Sequence, residues 1–493
     1  MRILCLALAA ASLAGCAVGP DYQRPALTDG VTAPAFKEIG SNGNWKPASP
    51  GHIDPTQPWW TAYGDARLNA LVEQADAANQ DIRLAEARYR QSQALVQGAE
   101  SAWYPTVGAN AGASRARAKN AQGVSVVGDS HAWSVQASWE PDLWGRVRRA
   151  VEGASDTAQA SQADLAAARL AVQASMATNY IALRVADAQQ QLYTRTVEAY
   201  KKSAQISQSQ YRAGVVTRAD VELANTTLQA AQAQAIDIEI ARRQLEHAIA
   251  VLLGKTPSEF SLPPDALAFT LPQVPVGLPS ELLERRPDIA GAERRAASAN
   301  AGIGYAQAAY YPNLILSAAG GFAGAGFGSW LNAPDKVWSL GAALAGTLFD
   351  GGLRSSQVAQ ARATFDASAA QYRQTVLAGF QEVEDNLAAL DLLAQERAVQ
   401  DAAVQSAQAA ERVSLAQYRA GTATYLAVIT AQTLALNNER TALQLQGRQY
   451  AASVALVKAV GGGWNAGQLQ ASTSASPTTS GAVASAADAP SRQ

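Results

Sequence analysis

The chain has 493 residues, 16% of them charged, and its formal net charge at pH 7 is −2. The lack of a basic excess argues against nucleic acid as a partner, and the lack of acidic runs argues against a solvating tail. Alanine is abundant, which favours thin, closely packed helices, and the length allows two or three ordinary domains or one elongated repeat structure.

The first residues have the form of a secretory signal. Arg2 precedes an apolar run over 3–14, which is too short to cross a bilayer as a helix. The run ends in Leu-Ala-Gly-Cys, which resembles a bacterial lipobox and would place the lipid on Cys16. Ala17 follows the cysteine, and by resemblance to bacterial lipoproteins this suggests sorting to the outer membrane. The alternative is an ordinary signal peptide that happens to contain a cysteine.

Proline divides the rest of the chain. Of the 20 prolines, seven lie between residues 20 and 58 and seven between 257 and 287, whereas 142–256 and 335–476 contain none. Because proline breaks helix interiors, these two gaps are where long helices can run. The first proline-rich stretch is predicted to be an extended coil and the second a connector.

Each gap is predicted to hold a long helix that turns back at a glycine. Residues 143–212 and 352–419 are rich in strong helix formers, and about 70 residues at 1.5 Å per residue make a rod of about 105 Å. Each rod ends in Tyr-Arg-Ala-Gly, where glycine can close a helix in the left-handed conformation. The chain restarts as a shorter helix at Thr217 and at Thr424, both plausible N-caps. Two long helical hairpins result.

Two further helices are predicted, one before each pair of strands. They cover residues 65–103 and 287–310. Pro287 suits a first helical position, and Asp288 suits the positive end of the helix dipole.

Four segments alternate between apolar and other residues with a period of two. Each segment is predicted to have one apolar face, formed by Val107, Ala109, Ala111 and Ala113, by Trp133, Val135, Ala137 and Trp139, by Leu314, Leu316, Ala318 and Phe322, and by Trp338, Leu340, Ala342, Leu344 and Leu348. Strands of this length can cross a bilayer when tilted, and Trp133, Trp139 and Trp338 would then be interfacial aromatics. A pair of soluble hairpins is the alternative.

The landmarks of the chain recur at an offset of 207 residues. Gln-Tyr-Arg-Ala-Gly occurs at 210–214 and at 417–421, and the same offset relates Tyr104-Pro105 to Tyr311-Pro312. Such a repeat indicates duplication of one structural unit, a strand pair followed by a long helical hairpin. Four strands cannot close a barrel in lipid, so the strands must close by oligomerisation.

Three motifs together resemble one family. Residues 16–25 read Cys-Ala-Val-Gly-Pro-Asp-Tyr-Gln-Arg-Pro, residues 284–289 read Glu-Arg-Arg-Pro-Asp-Ile, and Tyr-Arg-Ala-Gly occurs at both helix tips. The chain, to about residue 463, resembles the TolC-like outer-membrane efflux proteins, in their NodT-type lipoprotein branch.

The resemblance implies a mainly α fold with a membrane β-barrel: a homotrimeric 12-stranded β-barrel continuous with a periplasmic α-helical barrel. It also implies the exit duct of a tripartite pump, joined by a periplasmic adaptor to an inner-membrane transporter, and a location in the outer membrane.

Two sets of residues are candidates for function at the tips. The first set, at the turns, is predicted to cap helices and, by the resemblance, to contact the adaptor: Arg212, Gly214, Thr217, Arg419, Gly421 and Thr424. The second set is predicted to line the entrance: Asp220, Tyr418 and Thr430. Thr430 stands where many members of the family have aspartate before Ala-Gln, so an acidic ring is not expected there.

No catalytic or metal-binding pattern is present in the sequence. His52, His131 and His247 lie in different predicted elements, and neither Cys-x-x-Cys nor a phosphate loop occurs. We therefore expect no enzyme, cofactor or metal. Three hypotheses remain: an efflux duct for small molecules, the exit duct of a type I protein-secretion system, and a structural coiled-coil lipoprotein without a channel.

The predicted organisation has six parts. They are the signal peptide 1–15, a lipidated extended segment 16–60, the first repeat 61–256, the connector 257–286, the second repeat 287–463 and a disordered tail 464–493.

Overall fold

The computed structural model describes residues 18–26, 36–38, 58–119, 121, 123–272, 282–324, 336–467 and 469. The predicted signal peptide, the lipid attachment at Cys16 and the tail beyond 469 lie outside the described residues.

The beginning of the predicted tail is packed: Leu469 is buried beside Ala163 and Ala290. The prediction of disorder from residue 464 is therefore wrong for this stretch, because its two apolar side chains, Trp464 and Leu469, find a surface between helices.

The described residues form helices and four strands. The helices are α1 Ala66–Ala78, α2 Gln80–Glu100, α3 Arg146–Arg212, α4 Arg218–Leu252, α5 Leu282–Arg285, α6 Pro287–Ala308, α7 Leu353–Arg419 and α8 Tyr425–Ala459. The strands are β1 Thr106–Lys119, β2 Ser125–Trp139, β3 Asn313–Gly324 and β4 Lys336–Ala345. Short 3-10 helices cover Trp59–Tyr63, Ser101–Trp103 and Pro257–Glu259.

The predicted helical hairpins are confirmed, and the two copies agree residue by residue. α3 and α7 each have 67 residues, or about 100 Å of helix, and α4 and α8 each have 35. Each long helix follows a left-handed glycine, Gly145 at φ 80° and Gly352 at φ 96°. The 207-residue offset therefore extends to every boundary of these four helices.

The predicted helix over 65–103 is broken, which the sequence did not reveal. Asn79 has an extended backbone (φ −64°, ψ 134°), and its side chain accepts hydrogen bonds from the amides of Asp81 and Ile82. It thereby caps α2 as a new helix. Strong helix formers on both sides of Asn79 concealed the break.

The four strands form one antiparallel sheet in the order β1-β2-β3-β4. The two predicted pairs join because β2 also pairs with β3, where Trp133 lies opposite Phe322 and the two rings stack at 5.6 Å. The register places Val107 opposite Ala137, and Ala318 opposite Leu340, so the apolar positions of all four strands share one face. The predicted apolar face is confirmed.

Two details of the strands differ from the prediction. β4 ends at Ala345, so Leu348 is not in a strand, and its side chain is 99% exposed. β1 continues beyond the apolar positions to Lys119, and there Arg115 pairs with Asp129 at 3.6 Å on the face that was apolar before it. The apolar band thus ends inside the sheet.

No described helix carries an apolar stretch long enough to cross a membrane.

The main core lies where the hairpins, the connector and the first helices meet. Tyr63 and Tyr450 are buried there, and their hydroxyls bond to Ser453 at 2.9 Å and to the carbonyl of Phe269 at 2.7 Å. Both bonds join segments that are far apart in the sequence, so this core holds the two copies together.

The ends of α4 and α8 are seated in the same way in both copies. The side-chain amide of Asn79 donates to the carbonyl of Leu252 at 3.0 Å, and the Arg286 guanidinium donates to the carbonyl of Ala459 at 3.0 Å. Next to these bonds Gly254 and Gly461 have positive φ values of 66° and 91°. A Cβ on Gly461 would overlap the carbonyl oxygen of Arg285.

We predict that Gly461→Ala prevents stable folding, whereas Gly421→Ala costs only about 1–2 kcal/mol, the strain of a left-handed alanine. Gly421 is the matched control because its φ is also positive, at 73°, but nothing lies within 4 Å of its Cβ position. Thermal unfolding of the purified variants in detergent measures the difference. Equal stability of the two variants would show that the close approach to Arg285 is unimportant.

Candidate functional site

The two tips, where α3 turns into α4 and α7 turns into α8, have the same backbone. Val215 donates to the carbonyl of Gln210 at 2.9 Å, and Thr422 donates to that of Gln417 at 3.0 Å. Gly214 and Gly421 have φ values of 72° and 73°. The predicted role of both glycines in closing a helix is therefore seen directly.

The charged residues of the tips point to solvent in the single chain. Arg212 and Arg419 are exposed in the last turns of their helices, where a positive charge suits the helix dipole. Two exposed guanidinium groups at one end of the molecule can form charged hydrogen bonds with a partner.

The starts of α4 and α8 differ. The carboxylate of Asp220 accepts from the amide of Thr217 at 2.9 Å, and the Asp220 amide donates back to the Thr217 hydroxyl, forming a capping box. Thr424 occupies the equivalent position with an extended backbone, but its side chain makes no capping bond. Thr424 is thus the N-cap residue of α8, as predicted, but the side-chain hydrogen bond expected of a threonine cap is not formed. Ala427 stands where the box needs a carboxylate.

Tyr418 does not line an entrance in the single chain. It is only 3% exposed, its hydroxyl lies 3.1 Å from that of Ser207 on the other hairpin, and its ring packs against Tyr425. Its side chain joins the hairpins, because a buried ring with a bonded hydroxyl cannot also face a lumen. Tyr211, its equivalent in the first copy, is 42% exposed.

The other two predicted lining residues are less buried. Asp220 is half-buried and engaged in its capping box, and Thr430 is exposed with its hydroxyl bonded to the carbonyl of Leu426 at 2.9 Å. The structure therefore keeps both near the tips, each bonded within its own helix.

Sequence reasoning missed the polar residues between the hairpins. Ser203 and Ser207 are buried on α3, and the side-chain amide of Gln432 on α8 donates to Ser203 at 3.5 Å. Close by, burial and the neighbouring carboxylate of Glu439 raise the pKa of Glu411. The spacing of the two serines, one helical turn apart, was the signal that could have identified them.

At the opposite end of the hairpins lies the base of the sheet, where β2 ends and β3 begins. The predicted aromatic Trp139 is there, and its indole donates to the carbonyl of Trp103 at 3.0 Å. Trp144 stacks on Tyr311 at 4.9 Å. The other two predicted tryptophans, Trp133 and Trp338, lie further from the helices on the apolar face.

The aromatics of the base were mostly missed by the sequence reasoning. The exposed ones beside the sheet are Trp103, Tyr104, Tyr310 and Tyr311. The sequence pattern that could have identified them is a pair of aromatic residues directly before Pro105 and, in the second copy, directly before Pro312. Aromatic side chains with one polar end are typical of the boundary between membrane and water.

The described N-terminal segment is fixed to this base. The amide of Val18 donates to the carbonyl of Trp144 at 3.1 Å, and Arg149 donates to the carbonyls of Val18 and Gly19 at 3.3 and 3.2 Å. Gly19 has φ 106° and lies against the backbone of Gly304, where no side chain would fit.

A buried charged cluster holds the next residues of this segment. The Tyr22 hydroxyl donates to Glu293 at 2.7 Å, and Arg294 bonds to Glu293 and to Asp156. Burial would raise the pKa of Glu293, but the hydrogen bonds from Arg294 and Tyr22 outweigh it and lower that pKa. Burial raises the pKa of Asp156 to about 6. The Pro-Asp-Tyr residues after the cysteine are thus placed by specific contacts.

These contacts position the N-terminal segment beside the base of the sheet. Among the described residues no group of three His, Cys, Asp or Glu side chains could hold a metal ion.

Comparison with known proteins agrees with this geometry. The family model described as "Outer membrane efflux protein" matches residues 71–255 and again 278–462. A toluene efflux pump outer membrane protein of Pseudomonas putida, TtgC, is 28% identical over 483 residues, which cover 97% of this chain and 99% of that protein. The outer membrane protein OprJ of Pseudomonas aeruginosa is 30% identical over 478 residues, covering 94% and 96%.

Among solved structures, the outer-membrane channel OprN is similar with a TM-score of 0.82 and 29% identity, over 91% of this chain and 100% of that one. The fold is therefore that of the TolC-like channels.

We predict that Ala427→Asp completes a capping box with Thr424 and stabilises the first turn of α8 by about 0.5–1 kcal/mol. Hydrogen exchange of the amides at 426–428 should slow, while exchange at 219–221 stays unchanged. Asp220→Ala is the matched control, because it removes the box from the first tip and should speed exchange there alone. Unchanged exchange in the Ala427→Asp protein would contradict the importance of this difference between the tips.

Proposed function

Since this chain belongs to the outer membrane efflux protein family, we propose that it is the exit duct of a tripartite efflux pump, which small molecules cross passively. The observation that carries the proposal is one chain in which a sheet with an apolar face continues into two helical hairpins of about 100 Å. The sheet fits a bilayer, and the hairpins reach far beyond it.

The sheet requires partner copies. In the described part of the chain β1 and β4 each pair on one side only, so two edges are left open. An open edge in lipid leaves backbone groups unsatisfied at a cost of several kcal/mol each. Two, three or four copies would each close the edges, and from the resemblance to TolC-like channels we propose a homotrimer with twelve strands.

The two faces of the sheet then have different surroundings. Val107, Leu340 and Leu344 are between 67% and 76% exposed in the single chain and suit contact with lipid. On the opposite face, Asn110 pairs with Ser134 and small residues predominate, which suits a water-filled interior.

The tips form the periplasmic end of the duct in this proposal. We expect Arg212 and Arg419 to contact a periplasmic adaptor, together with the turn residues Gly214 and Gly421. The bond between Tyr418 and Ser207 holds the second hairpin against the first, so its opening would widen the entrance. The adaptor would in turn join the duct to an inner-membrane transporter.

The proposed substrate class rests on the passive nature of the duct and on the name of one relative. A passive duct with a small, polar lining exerts little selection, so the transporter chooses the cargo. The toluene efflux relative supports small organic molecules as the cargo. We extend the proposal to drugs and other toxic compounds.

The attachment of lipid at Cys16 is also part of the proposal. Val18, two residues later, is hydrogen-bonded at the base of the sheet, level with the aromatic side chains there. An anchor at Cys16 would therefore enter the same membrane that the strands cross.

Conductance measurement tests the duct directly. Purified protein inserted into planar bilayers should give discrete channel openings, because closed trimers enclose a water-filled path. A protein that inserts as folded trimers but never conducts would contradict the duct and favour a structural lipoprotein.

We predict that Arg419→Ala lowers drug export while trimers remain in the membrane. A lost hydrogen bond from a charged group costs about 1.5–3 kcal/mol, or roughly tenfold or more in affinity for the adaptor. Drug susceptibility of a strain that depends on this pump measures the effect. Arg412→Ala is the matched control, an exposed arginine two turns earlier on α7, and it should leave export unchanged. Normal export by Arg419→Ala would leave only the capping role for this residue.

A further inference from the structure

A cleft of about 580 Å³ opens between α6 and α7 just below the sheet. Its lining combines apolar, aromatic and polar side chains: Val18, Gln307, Tyr310, Tyr311, Ser355, Val358, Ala359 and Arg362. On the α7 side the apolar Val358 and Ala359 stand between the polar Ser355 and Arg362. Gln307 and the two tyrosines line the side at the end of α6. This combination suits a lipid chain with a polar linkage at one end.

Val18 gives the cleft a fixed neighbour. Its amide and carbonyl are bonded to Trp144 and Arg149, and the next residue is pressed against Gly304. The chain therefore cannot carry whatever precedes Val18 to another part of the surface without breaking these contacts.

Cys16 is only two residues before Val18. Two residues span at most about 7 Å, so the cysteine stays within that distance of a residue that lines the cleft. A lipid group on Cys16 must consequently begin within reach of the cleft.

The equivalent place in the first copy lacks this chemistry. At the offset of 207 residues, Glu152 stands in place of Ala359 and Ser155 in place of Arg362. Glu152 forms an ion pair with Arg149 at 2.8 Å. A carboxylate in that wall disfavours an acyl chain, so the two copies are not interchangeable.

We propose that this cleft is a lipid-binding site whose occupant is an acyl chain of the chain's own lipid on Cys16. Val358 and Ala359 contact the methylene groups, and the tyrosine hydroxyls with Arg362 face the polar linkage. The inference rests on the proposed lipid attachment and adds where the lipid lies. It makes the anchor part of the folded structure and not a free tether.

Photocrosslinking tests the site. Cells expressing the full chain are fed a fatty acid that carries a diazirine, the protein is purified from outer membranes after irradiation, and crosslinked peptides are mapped by mass spectrometry. Crosslinks are expected in peptides containing 307–311 or 355–362. An exported Cys16→Ser protein with a non-lipoprotein signal is the control, because its crosslinks can come only from bilayer lipids.

Ala359→Trp provides a second measurement on lipidated protein. The indole fills the cleft, so the crosslinks there should be lost while the mass of the acylated N-terminal peptide is unchanged. Equal crosslinking of the Cys16→Ser protein, or crosslinks confined to Trp103 and Tyr104, would overturn the site. An N-terminal peptide without acyl groups would overturn the anchor itself, which distinguishes that failure from an empty cleft.

Discussion

The architecture depends on how the ends of the returning helices, α4 and α8, are held. The last carbonyls of a helix need donors, and here one comes from the residue that starts another helix, Asn79 or Arg286. The contact is close enough that only glycine fits beside it, at 254 and 461. Each returning helix is thereby fixed at one end to the core, and its tip, 35 residues or about 50 Å away, inherits its position from this joint.

The two joints use different chemistry for the same geometry. Asn79 is neutral, whereas Arg286 is a buried cation that bonds to Asp288 and Glu382 at 2.7 and 2.8 Å. Burial opposes its charge, but these carboxylates outweigh that and raise the pKa of Arg286. Gly379 on α7 leaves room for the guanidinium. The arginine of the Glu-Arg-Arg-Pro-Asp motif therefore has a structural reason that does not depend on transport.

Sequence reasoning succeeded where the signal was local. Gly214 and Gly421 close helices because of their own conformation, and alternation along each strand determines its apolar face. It failed where a distant partner decides. The break at Asn79 depends on the end of α4, the join of β2 to β3 depends on pairing, and the burial of Tyr418 depends on Ser207 from the other hairpin. None of these partners lies within one helical turn of the residue.

The same duplication that built a uniform tube also allowed its two hairpins to diverge. At the tips, Tyr211 is exposed while Tyr418 is buried, and a capping box closes the start of α4 but not that of α8. The second hairpin thus has the less stable first turn and the side chain that bonds it to its neighbour. A hairpin whose first turn is weakly capped can move while the other stays in place, once the bonds from Tyr418 to Ser207 and from Gln432 to Ser203 open. Because both are fixed at the same kind of joint far from the tip, such movement needs no change in the sheet.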